Sequence, residues 1–272
     1  MHDGAKPDSR TIDIATPSVA RMYDWLLGGI DHYQADRDAC ASLLEIVPDS
    51  KALALNNREF LRRVVGYLAK EHGVRQFLDH GSGLPTMDNV HEVTQRVNSD
   101  CRVVYIDNDP IVLAHGRSRL DRNDRTAVIS ADMRRTDAIF AHPDVERLIR
   151  PGERTAALFV SVLHCIKDHE VMPLLDRVKQ KLEPGSFFVI CQLVSGRSDV
   201  RDRVTDLMKD ATHDTWGRVR TKEEVRSYFE HLGLDIVEPG LMNVTQWRAV
   251  SEVVPRQRTQ DWEEWGGVGI VR

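Results

Sequence analysis

The chain has 272 residues, 41% of them hydrophobic and 29% charged, with a formal net charge of -5 and a sequence pI near 6.1. That is enough chain for one large α/β domain with additions or for two small domains, and the composition is that of an ordinary globular protein. The mild acidity argues against a broad nucleic-acid surface. Cys40, Cys101, Cys165 and Cys191 lie apart with no C-x-x-C spacing, so free thiols in a reducing compartment are expected and structural zinc is not. No signal-peptide core or membrane-length apolar run is present, and the expected location is cytoplasmic.

Residues 1–15 are polar and read as a loose arm. Thr16-Pro17 predicts a helix start, with Thr16 as N-cap. Val19, Met22, Tyr23, Leu26 and Leu27 then share one face until Gly28-Gly29 stops the helix. Amphipathic segments follow at 36–46 and 56–70, so residues 16–74 are expected to form a helical cap ahead of the first strand. From 75 to 272 the pattern alternates. Strands are predicted at 76–79, 102–106, 127–130, 156–162 and 186–193, and helices near 86–97, 110–120, 137–150 and 169–182. Such alternation implies a mostly parallel sheet covered on both faces. Further helices are expected at 199–210 and from the capping box at Thr221 through Leu232. Closing strands are expected at about 234–238 and 243–250. Residues 255–272, with Trp262 and Trp265, read either as a tail packed on the sheet or as a homodimer contact.

The chemistry is concentrated at strand ends. Gln76-Phe77-Leu78-Asp79 runs into Gly81-Ser82-Gly83, a tight turn that brings backbone close to a ligand. Val103-Val104-Tyr105-Ile106 runs into Asp107, at the distance where nucleotide-binding folds place the acid for ribose hydroxyls. A third acid, Asp132, follows the next strand in Ser130-Ala131-Asp132-Met133. A dinucleotide fingerprint would need glycine where Thr86 stands, which disfavours a nicotinamide cofactor, and no G-K-[ST] follows to make a P-loop. Acids after three successive strands resemble the pattern of S-adenosylmethionine-dependent methyltransferases.

These stretches resemble the actinobacterial S-adenosylmethionine-dependent methyltransferase family first catalogued as a domain of unknown function. The resemblance runs through Pro17-Ser18-Val19-Ala20-Arg21-Met22-Tyr23-Asp24-Trp25-Leu26-Leu27-Gly28-Gly29, the Asp79 turn with Gly83-Leu84-Pro85-Thr86, Val104-Tyr105-Ile106-Asp107-Asn108-Asp109-Pro110, Val162-Leu163-His164 and Thr245-Gln246-Trp247-Arg248. It covers roughly residues 16 to 272. It implies a class I, Rossmann-like fold with a seven-stranded, mostly parallel sheet whose last strand is antiparallel. His80 and Ile30 depart from the family, which more often has an aliphatic residue and a lysine there.

On that resemblance the cofactor contacts are expected from Asp79, Gly81, Ser82 and Gly83, from Asp107 and Asn108, from Asp132 and Met133, and from Ser161. Arg21 and Tyr23 join them if the cap closes over the strand ends, with Arg21 facing the methionine carboxylate. His164, at the end of the fourth strand, is either a general base or a buried, hydrogen-bonded histidine. Tyr33 and His32 are its understudies in the flexible turn after Gly29. No metal site is expected. The expected activity is methyl transfer to N or O of a small-molecule acceptor, a specialised metabolite such as a cyclic dipeptide. The alternatives are a non-catalytic protein that binds S-adenosylmethionine or its product and, less favoured, a nicotinamide oxidoreductase.

Overall fold

The structure, a computed structural model, describes residues 13–85, 88–119, 123–249, 257 and 261–272. Most of the expected arm and Thr86 lie outside the described residues. Three helices come first: α1 (Val19–Leu27), α2 (Gln34–Ile46) and α3 (Ser50–Glu71). The first begins later than the Thr16 signal predicts, because the backbone N–H of Ser18, its N-cap, is taken by the Asp36 carboxylate at 2.9 Å. It ends as expected at Gly28, whose φ of 83° sets a left-handed cap.

The alternating region follows as β1 (Gln76–His80), α4 (Val90–Val97), β2 (Arg102–Asp107), α5 (Pro110–Arg119) and β3 (Thr126–Ser130). It continues as α6 (Thr136–Phe140), α7 (Pro143–Leu148), β4 (Thr155–Val160), α8 (Asp168–Gln180), β5 (Phe187–Val194), α9 (Ser198–Ala211) and α10 (Lys222–His231). The helix predicted over 137–150 is two short ones, since Pro143 opens a new helix instead of continuing the old one. The helix after the glycine turn starts only at Val90, where the Glu92 carboxylate accepts the Asn89 backbone N–H at 2.7 Å.

The end of the chain differs most from expectation. The sequence predicts a closing strand at 243–250, but only β7 (Met242–Asn243) forms there, after the two-residue β6 (Asp235–Ile236). The closing strand is β8 (Glu263–Ile270), inside the stretch read as a tail or a dimer contact. It pairs antiparallel with β5 over eight residues, from Phe187 opposite Ile270 to Val194 opposite Glu263. Gly266 permits this close pairing, because a Cβ there would sit 1.9 Å from the Ile190 carbonyl oxygen. The sheet order is β3-β2-β1-β4-β5-β8-β6, with β7 also on β8, and β1 to β5 are parallel.

Cores on both faces hold the sheet. On one, Phe60, Val64 and Leu68 of α3 pack with Phe77, Val103 and Val189, and Trp247 is fully buried with its ring edge against Phe60 and Tyr67. Arg63 ties the same helix to the Trp247 carbonyl at 3.1 Å. On the other, Leu174, Leu175 and Val178 of α8 meet Phe188, Ile190 and Phe229. A third core joins α1 and α2 to α9 through Met22, Cys40, Leu43, Val204 and Met208. α1 and α2 therefore rest on α9 and with it roof a cavity at the carboxyl ends of the parallel strands, whereas α3 packs on a face of the sheet. Among the described residues, no helix is long and apolar enough to cross a membrane.

Candidate active site

Beneath that roof lies a cavity of about 750 Å³. Its floor is the turn after β1. Gly81 has φ of 71° and gives its N–H to the Ile106 carbonyl at 2.8 Å, which locks the turn onto β2. A Cβ on Gly81 would lie 2.3 Å from Val162 Cγ2, so this glycine makes room for the β4 loop and not for a ligand. Gly83, at φ 66°, donates its N–H to Asp107 Oδ2 at 2.9 Å, and a Cβ on it would meet only open space. The Ser82 hydroxyl is buried without a hydrogen-bond partner.

Two acids follow. Burial pushes the Asp107 carboxyl up to about 6, against the pull of the Asp109 and Gly83 N–H groups. Burial pushes Asp79 further, to about 7, with the positive charge of Arg58 opposing and Asp107 adding to the rise. Arg58, on α3, also donates to the Asp88 carbonyl at 3.2 Å and lines the cavity. His80, the family departure, points away and stacks on Phe159 at 4.4 Å, so it packs the sheet beneath the turn.

Every cofactor contact expected from the sequence lines the same cavity: Asp79, Gly81, Ser82, Gly83, Asp107, Asn108, Asp132, Met133, Ser161, Arg21 and Tyr23. Several carry other duties. Both Asp132 oxygens are gripped by Arg134 at 2.6 to 3.0 Å, and Arg134 reaches on to Glu170 at 2.9 Å. Burial works against the Asp132 charge, but the Arg134 hydrogen bonds outweigh it and hold the carboxyl below its usual range. Arg21 is 3% exposed, donates to the Thr16 and Asp13 carbonyls at 2.6 and 3.0 Å, and lies 3.4 Å from Asp36. Its guanidinium is thus bound to the start of the cap. Tyr23 donates to the Ala54 carbonyl at 3.1 Å and accepts from Asn57 at 2.9 Å.

His164 sits in a turn of 3-10 helix after β4, 3% exposed, lining the cavity beside the Trp216 ring at 5.5 Å. Its Nδ1 has no partner. Burial, with the Arg220 charge adding, holds the imidazole down to about 3, so it is neutral at physiological pH and holds a proton weakly. His32 and Tyr33 are not among the cavity-lining residues. The His32 ring is engaged by the Gly29 carbonyl at 3.2 Å and by Arg37 at 3.1 Å. Tyr33 is 37% exposed at the start of α2, with the Arg21 guanidinium 5.3 Å from its ring. The glycine pair turns this segment outward, leaving Ile30 84% exposed.

Sequence reasoning missed Arg58, Asn57 and Glu264. Glu264, on β8, is 2% exposed and lines the cavity. Its Oε1 accepts the Ser161 hydroxyl, and burial pushes the carboxyl up to about 8.

Three acids with raised pKa values make a stability prediction. Asp79, Asp107 and Glu264 hold protons in the folded chain that they would release when unfolded, so each favours folding at low pH and loses that contribution as pH rises through its folded value. Buried His80 and His164, held down, act in the opposite sense, but their effect is largely complete by about pH 6.5. The melting temperature of the ligand-free protein should therefore fall between about pH 6.5 and 8.5. A flat or rising profile in circular dichroism melts would contradict these assignments.

Parallel β3-β2-β1-β4-β5 closed by an antiparallel strand, with acids and a glycine turn at the carboxyl edge, defines a class I methyltransferase. The family model described as S-adenosyl methyltransferase matches residues 5–272, and the chain belongs to that family. The structure is similar to that of a candidate methyltransferase from Thermobifida fusca, 37% identical, with a TM-score of 0.88, covering 96% of this chain and 97% of that one. It is also similar to a DUF574 family protein from Streptomyces avermitilis, 32% identical, with a TM-score of 0.87, covering 96% and 100%. No curated protein gives a significant match.

The chain is thus an S-adenosylmethionine-dependent methyltransferase and not a nicotinamide oxidoreductase. The residues present fit the cofactor. The unpartnered Ser82 hydroxyl, the open space beside Gly83 and the half-buried Asp107 carboxylate form a polar cradle at the ends of β1 and β2.

Proposed function

We propose that the protein methylates a nitrogen or oxygen of a compact small-molecule acceptor, a specialised metabolite such as a cyclic dipeptide, in the part of the cavity between β4 and β8. The observation that carries this reading is the order of polar groups across the sheet. Asp132, Asp107 and the Asp79 turn follow β3, β2 and β1, whereas Ser161, His164 and Glu264 belong to β4 and β8. With strands about 4.8 Å apart, the cofactor would lie along the first half and leave the second to the acceptor.

Bound S-adenosylmethionine supplies an electrophilic sulfonium methyl, and alignment of the acceptor atom with it provides much of the rate. Asp107 is suited to take the ribose hydroxyls, Ser82 and Gly83 to flank the chain, and Arg58 with Asp79 to meet the methionine carboxylate and amine. His164, neutral, is suited to accept a hydrogen bond from the acceptor through Nδ1, which orients its lone pair. The cavity of about 750 Å³ beneath α1 and α9 is of a size that suits a compact ligand better than a polymer.

The test is incubation with labelled S-adenosylmethionine and pools of small metabolites, read by mass spectrometry. A small product heavier by one CH2, lost with His164→Ala or Asp107→Asn, is expected. Label appearing only on protein or RNA would contradict the reading.

A further inference from the structure

We propose that Glu264, backed by Ser161, recognises an amine of the methyl acceptor and takes its proton. The proposal rests on the methyl-transfer reading above and narrows its acceptor to an amine. Glu264 stands opposite Leu193 at the start of β8, on the far side of β4 from Asp107 and Asp132, which places it on the acceptor side. Its Oε1 is held by the Ser161 hydroxyl, while its Oε2, in a side chain that lines the cavity, is buried with only the Cys191 thiol bearing on the carboxyl. Ser161 has φ of 57°, a strained value for serine, in the turn that holds its hydroxyl on the acid.

Part of the polar surroundings is matched internally, whereas the Trp216 and Trp262 indole N–H groups, like His164 Nδ1, are buried without partners. Cys191 Sγ lies 3.3 Å from Asn57 Oδ1, Asn57 donates to Tyr23, and Tyr23 donates to the Ala54 carbonyl. The groups that bear on the Glu264 carboxyl, Ser161 and Cys191, are uncharged, and Lys222 is committed to Glu263 at 2.5 Å. A buried acid walled by neutral groups is incomplete until a cation or a proton donor reaches it. Trp262, just before β8, and Trp216 also line the cavity. A cavity that holds both an acid and indole rings attracts a cationic amine through charge and through ring faces. A neutral alcohol gains much less from that combination.

The step is a proton transfer. On binding, the carboxyl releases the proton it holds near neutral pH to solvent and pairs with the ammonium; an N–H bond of that ammonium then breaks, an O–H bond forms on Oε2, and the electron pair stays on nitrogen as the lone pair that methylation needs. The proton passes to solvent when the product leaves. Burial has already raised this carboxyl to about 8, where it holds a proton near neutral pH far better than His164 does.

The test uses the full chain saturated with S-adenosylhomocysteine, titrated calorimetrically with phenethylamine and with 2-phenylethanol, in phosphate and in Tris at pH 7. Phenethylamine should bind more tightly than the alcohol and release close to one proton, since a largely protonated Glu264 and an ammonium ion cannot both keep theirs. Glu264→Gln should weaken the amine roughly tenfold to a hundredfold and leave the alcohol unchanged. Ser161→Ala, which retains the carboxyl, should weaken the amine by roughly threefold. Equal binding of amine and alcohol, unchanged amine binding in Glu264→Gln, or no amine binding to the wild type would overturn the proposal. S-adenosylhomocysteine binding separates the failures. Its loss in Glu264→Gln alone would assign Glu264 to the cofactor and end the proposal, whereas its absence in the wild type would overturn the underlying reading.

Discussion

Asp107→Asn should weaken S-adenosylhomocysteine binding by roughly 100-fold or more while leaving the ligand-free protein at least as stable as the wild type. The first effect follows from charge-assisted hydrogen bonds, each worth about 1.5–3 kcal/mol, of which a ribose diol offers two. The second follows from burial. The carboxyl is pushed up to about 6 because its ionised form is poorly solvated, and an amide of the same shape escapes that cost. It would still present one oxygen to the Gly83 N–H, which now lies 2.9 Å from Oδ2, and relief of the buried charge offsets loss of the 2.9 Å bond from the Asp109 N–H to Oδ1. Affinity lost without stability lost is the signature of a side chain kept for its ligand. Binding within threefold of wild type, by calorimetry at pH 7.5, would show that Asp107 only supports the turn.

Arg220→Met should cost about 3 kcal/mol of stability, roughly 6–10 °C in melting temperature, through loss of a buried charge network. Arg220 is 1% exposed and braces the segment between β4 and α8 from three sides. It donates to the Leu163 and Ile166 carbonyls and to Asp168, each at 2.8 Å. Methionine fills much of the volume but leaves those carbonyls buried and unpaired. Because the Arg220 charge helps to hold the His164 imidazole down, its removal should also raise the His164 titration point, which NMR can follow. Stability within 1 kcal/mol of wild type, or a histidine that does not move, would mean that Arg220 is no brace for His164.

Much of this site was legible because its first half is local in sequence. Asp79, Asp107 and Asp132 each end an apolar run, and a parallel strand buried on both faces reads as such a run. Gly81 and Gly83 likewise act within their own turn. The second half is assembled across the chain. Arg58 and Asn57 arrive from α3, whose apolar stripe signalled packing and gave no hint that its polar residues face a cavity. Glu264 was hidden because Glu263-Glu264-Trp265-Gly266-Gly267 mixes acids with glycines and so reads as loop. The requirement for those glycines becomes visible only when Ile190 lies 1.9 Å from the place a Cβ would occupy. His32 and Tyr33 illustrate the reverse error. They adjoin the motif that carries the resemblance, but nearness in sequence does not decide which way a turn sends them, and Gly28 sends them outward.

The most direct test of the account is a structure of the complex with S-adenosylhomocysteine. The account predicts ribose hydroxyls within hydrogen-bond distance of Asp107, the amino acid portion over the Asp79 turn, and the sulfur facing the space between His164 and Glu264. A ligand that runs the other way, with adenine against Trp216 or its amino group on Glu264, would contradict the division of the cavity into cofactor and acceptor halves.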